Sequence, residues 1–142
     1  MGPGDAGRRP VRQSPALLPA DRRRRLMAKD KRALARLERE MVACLTEACA
    51  TAQAEIVGFA WLTHQVDLDD FPASLRITWV FTDDTDKARA LAGEDKSRML
   101  ALTAQALADA GIQLDHVAWH VRFDSEEACW RDHGGDWNRR LR

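Results

Sequence analysis

The sequence predicts an α+β domain in the order α-β-β-α-β-α, the last helix short, with a three-stranded sheet and helices on one face. Three observations carry that expectation. Apolar residues recur at steps of three and four up to Gln53, three later segments rich in β-branched and aromatic residues alternate in strand fashion, and helical spacing returns between the second and third of these. Helices that connect strands of one sheet pack back onto a face of it.

Taken in order, residues 1–28 form a basic arm with four prolines and no apolar periodicity before Pro19, which predicts disorder. The remainder, 29–142, is the folded α+β domain. The first helix is expected from about Lys31 to Gln53, where Leu34, Leu37, Met41, Leu45, Ala48 and Ala52 share a face and Asp30 serves as N-cap. Phe59 to Val66 and Leu75 to Phe81 alternate like strands. The acidic, proline-containing connection between them fits an antiparallel hairpin. Thr82-Asp-Asp-Thr-Asp86 forms a cluster with several possible caps for helical sequence reaching Ala110, with a break at Gly93 and a stop at Gly111. A third strand is expected from Leu114 to Phe123. Asp124 and Glu127 then form the capping box of a short helix that Gly134 and Gly135 end.

On this reading one sheet face carries Phe59, Trp61, Leu75, Ile77, Trp79, Phe81, Val117, Trp119, Val121 and Phe123, under the helices. The other carries His64, Arg76, Thr78, His116, His120 and Arg122 among Leu62, Val66, Val80 and Ala118. Imidazoles and guanidiniums gathered on one pleated face can hold an anion or a phosphate backbone. The same face, with its apolar residues, also suits a homodimer or a protein partner. Trp137 is expected to pack on the sheet and pin the tail, or to anchor a partner. Arg139 and Arg140 extend the set of binding candidates.

Charge is divided along the chain. Residues 1–40 hold 12 Lys/Arg against 5 Asp/Glu, and residues 41–142 hold 10 against 17. A basic arm beside an acidic body points to DNA or RNA. Met27 opens Met-Ala-Lys-Asp-Lys-Arg, which reads as a natural start, and seven of the arm's arginines precede it. Three cysteines make no disulfide framework, which points to a reducing cytoplasm. No apolar run approaches the roughly 20 residues that cross a bilayer, so no membrane partner is expected.

The chemistry of catalysis finds little footing. There is no Gly-rich phosphate loop, Gly-x-Ser-x-Gly or His-Glu-x-x-His. Cys129 and His133 have a workable ligand spacing on a helix, but two ligands do not close a zinc site. Cys44 and Cys49 are five apart and read as small core residues. The expectation is a non-catalytic protein with no cofactor and no metal.

The segments Phe59-Ala-Trp-Leu-Thr-His64, Phe71-Pro-Ala-Ser-Leu75, Phe123-Asp-Ser-Glu-Glu-Ala-Cys129 and Gly135-Asp-Trp-Asn-Arg-Arg-Leu141 resemble a group of small proteobacterial proteins labelled "Fis family transcriptional regulator". The resemblance covers the chain from about Lys29 onward and implies a regulatory role. Fis itself ends in a helix-turn-helix. Here the C-terminal third reads as strand, short helix and tail, so no recognition-helix residue carries over. The combined expectation is a binding or regulatory protein associated with nucleic acid. The alternative is a protein-interaction module or homodimer acting through the sheet face.

Overall fold

The structure, a computed structural model, describes residues 20–142, and only the backbone of residues 23–29. The chain divides into two units, Met1–Leu34 and Ala35–Arg142. All described residues of the first belong to helix α1, Ala20–Glu55, which continues into the second unit. Of the arm expected to be disordered, residues 1–19 lie outside the described residues and 20–28 are helical. The expected cap Asp30 therefore sits inside the helix. Leu26, Met27, Ala28 and Lys29 are good helix formers, so nothing in the preceding turns stops it there.

The second unit continues with β1 (Phe59–Gln65), β2 (Arg76–Phe81), α2 (Asp84–Ala92), α3 (Asp95–Asp109), β3 (Val121–Ser125), α4 (Glu126–His133) and α5 (Trp137–Arg140). β2 is central, antiparallel to β1 and parallel to β3. The α+β class, the element order and the three-stranded sheet are as the sequence predicts. The helical break falls at Gly93. Gly111 takes φ 78° after α3, as only glycine does readily.

Met41, Leu45, Ala48 and Ala52 of α1 pack with Ile77, Trp79 and Phe81 of β2 and with Met99, Ala106 and Leu107 of α3. Trp79 is wholly buried, and its indole N–H donates to Thr103 Oγ1 at 3.1 Å. The Thr103 hydroxyl in turn donates to the carbonyl of Met99 at 2.8 Å. Among the described residues no buried side-chain nitrogen or oxygen lacks a partner.

Three local expectations are corrected. The register shifts between Phe59 and Trp61, so Ala60 is an extra residue in β1. A one-residue slip inverts every later side chain. Trp61, expected on the core face, lies on the opposite one, and Leu62, His64 and Val66 turn toward the core side. Second, β3 begins at Val121 rather than Leu114. Val117–His120 form a one-turn 3₁₀ helix instead. Third, the N-cap of α4 is Ser125, whose hydroxyl accepts from the Ala128 N–H at 3.0 Å. Glu127 bonds the Asp84 N–H across the chain rather than closing a capping box.

The second sheet face is covered by the chain itself. Trp137 meets Trp61 edge-on, with ring centroids 4.8 Å apart. Gln65 donates to the Leu141 carbonyl at 2.6 Å. Beneath this segment Thr78 and Val80 are buried. Arg140 fastens it by two bonds to Asp124, from Nε at 2.6 Å and Nη2 at 2.9 Å. Among the described residues no helix is long and apolar enough to cross a membrane.

Candidate functional site

The eight residues singled out by sequence do not share one surface. His64 belongs to the core side of β1, where its Nε2 lies 2.9 Å from Glu38 Oε2 of α1. That pair ties helix to strand and is half-buried. Arg140 is held by Asp124, with Asp132 and the Ala128 carbonyl at 3.3 Å. These bonds raise its pKa further and leave its guanidinium little capacity for a ligand. Trp137 is engaged by Trp61, whose own indole N–H donates to Glu126 at 3.3 Å. Arg139 is exposed on α5.

Of the remaining four, Arg76 and Arg122 share the face of Thr78, as the sequence predicts, while His116 and His120 leave it for the turn before β3 at the same end of the sheet. His120 sits in the 3₁₀ turn before β3, with Nδ1 2.7 Å from the Leu75 carbonyl at the mouth of β2. Ile77 pairs with Val121 and Thr78 with Arg122, which sets Arg76 and Arg122 on neighbouring strands beside that turn. Both are exposed, and neither has a carboxylate partner among the described residues. By contrast Arg89, Arg98 and Arg131 are paired with Asp86, Glu55 and Asp84.

The residue that sequence reasoning missed is Trp119. It was expected in the core and is 78% exposed. The cause is the 3₁₀ turn, in which side chains three apart eclipse. His116 and Trp119 are three apart, and their rings stack with centroids 3.9 Å apart and planes at 35°. The backbone N–H of Trp119 donates to the His116 carbonyl at 3.1 Å, closing the turn beneath the stack. The signal was present in Asp115-His116, a polar pair interrupting the apolar alternation.

A shallow cavity of about 300 Å³ opens beside the stack, lined by Pro72, Ala73, Leu114, Asp115, His116, Trp119 and His120 among others. The Phe71–Pro72 peptide at its rim is cis. A second cavity adjoins it at Ala73 and runs to Arg76 and Arg142, with Gln65, Asp67 and Asp70 also in its wall. The first cavity thus holds the aromatic pair with Asp115, and the second holds Arg76 and Arg142 with Asp67 and Asp70. Cys129 is fully buried, and burial pushes its thiol pKa up, away from nucleophilic character. Among the described residues no group of three His, Cys, Asp or Glu is placed to hold a metal ion.

No protein-family model, curated protein or solved structure matches this chain.

Proposed function

We propose that the protein is a non-catalytic regulatory protein that associates with nucleic acid through its first unit. The observation that carries this is the coincidence of charge and architecture. Met1–Leu34 holds 10 Lys/Arg against 3 Asp/Glu, whereas Ala35–Arg142 holds 12 against 19. The +7/−7 division falls at the boundary between the units. The stretch from Ala20 to Leu34 is helical and carries seven cations against two carboxylates. A basic helix delivers its charges at a regular rise and suits a phosphate backbone. The acidic second unit repels the same backbone and would limit nonspecific association. The resemblance to proteins labelled as transcriptional regulators points the same way.

The test is fluorescence anisotropy of the full chain with duplex DNA and duplex RNA across a salt series. Binding should weaken with a linear log–log slope. Reversing Lys31 and Arg32 to Glu should flatten that slope by about 2 on DNA. Absence of binding at low salt to either duplex and to single strands would remove the proposal.

The alternative, a protein-interaction module or homodimer without nucleic acid, draws on two exposed indoles, Trp119 and Trp130 at 72%. Thr78 and Val80 of the face first considered for it are buried, which leaves Arg76 and Arg122 as that face's exposed candidates. A dimer insensitive to salt in sedimentation equilibrium would favour it.

A further inference from the structure

Trp119 is the most exposed of the large apolar residues described, and the fold holds it there by construction. Three features place the turn and the ring. The 3₁₀ turn sets its backbone, His116 stacks on one face, and His120 anchors the turn to the Leu75 carbonyl. An indole 78% exposed with His116 stacked against it is arranged to receive a flat partner. The cavity beside it is large enough for a heterocycle. The charges at the same end of the sheet are Arg76 and Arg122, with Arg142 lining the same cavity as Arg76.

We infer that this end of the sheet binds single-stranded nucleic acid. An unpaired base stacks on Trp119, and flanking phosphates meet the guanidiniums of Arg76 and Arg122. The inference rests on the nucleic-acid reading above and adds to it a contact on the second unit for strands whose bases are free. Aromatic platforms flanked by cations serve this purpose because every base has a π-face and every linkage a charge. A duplex keeps its bases stacked and offers the indole nothing. Asp67, Asp70 and Asp115 also line the two cavities, so the contact is confined to the strand's local path rather than spread over an even basic surface.

The experiment uses the full chain with labelled oligo-dT, oligo-U and a duplex of equal length, again by anisotropy. Wild-type protein should prefer the single strands. Trp119→Ala should weaken single-strand binding by roughly 5- to 100-fold, with Trp119→Phe retaining most of it. Arg76→Gln with Arg122→Gln should weaken binding and lower the salt slope by about 1.4. Trp119 is exposed, so Trp119→Ala should leave the melting temperature unchanged and isolate recognition from folding. If Trp119→Ala binds single strands like wild type while the Lys31/Arg32 reversal still flattens the salt slope on duplex DNA, this inference falls and the proposed function stands. If no nucleic acid binds at all, both fall, and Trp119 becomes a protein contact.

Discussion

Arg140→Ala is the most informative single perturbation of this fold. Arg140 and Asp124 are 18% and 15% exposed, little enough that water screens them weakly. The guanidinium makes two short bonds to the carboxylate and also reaches the Ala128 carbonyl and Asp132. Truncation removes these together and strands Asp124, which keeps only the Ser125 N–H at 2.8 Å. Breaking a buried pair from one side costs about 3–5 kcal/mol. The residual exposure and the surviving bond lower this to about 2–4 kcal/mol. For a unit of this size each kcal/mol moves the melting temperature by about 4 °C, so a fall of about 8–16 °C is expected. Circular dichroism melts and urea midpoints read it directly. Arg139→Ala, one residue away and unpaired among the described residues, is the control and should shift the melt by less than about 2 °C. Arg140→Met with Asp124→Leu should recover much of the loss, because no buried charge is then left alone. A loss for Arg140→Ala no larger than for Arg139→Ala would refute the reasoning and reduce the clamp to a surface ion pair.

Three further outcomes are expected. Thr103→Val leaves the buried Trp79 N–H without an acceptor and should cost about 1–3 kcal/mol in urea unfolding. The Ser125 hydroxyl and then Arg131 hold the Asp84 carboxyl below its usual pKa. Its contribution is therefore full above the unfolded value near 4 and is lost as pH falls through the lower folded value, so Asp84→Asn should flatten the acid limb of a stability–pH profile. Cys129 should resist alkylation in the native protein and react once urea unfolds it, as mass spectrometry of the labelled peptide will report.

Much of the architecture is legible in residue periodicity. Leu34 to Ala52 marks one face of a helix, and Leu75 to Phe81 marks the central strand, because a core imposes those periods on any chain that covers it. What is not legible depends on single-residue events. The bulge at Ala60 leaves the alternation of β1 intact and reverses its meaning, so His64 moves from the supposed binding face to Glu38. The 3₁₀ turn at Val117–His120 imitates a strand over four residues, since Val and Trp alternate with Ala and His as large apolar with small or polar side chains. Its cost to the sequence reading was Trp119. The ion pairs of Arg140 and Arg131 were equally hidden, because their partners Asp124 and Asp84 are distant in sequence. Four of the eight candidate residues still fall together, brought there by the start of β2 and the entry to β3.

The C-terminal cover on the sheet has a temporal side. Translation delivers β1 and β2 well before β3 and the Trp137–Leu141 segment that closes the second face. A nascent chain thus exposes a hairpin whose central strand has an unpaired edge and whose Val80 and Trp61 meet solvent. Such edges recruit other strands. The acidic connection Asp67-Leu-Asp-Asp70 discourages that pairing by charge, and the bulge at Ala60 discourages it by twist at the hairpin's other edge, on β1. Features that look incidental in the finished molecule thereby act as guards during its assembly.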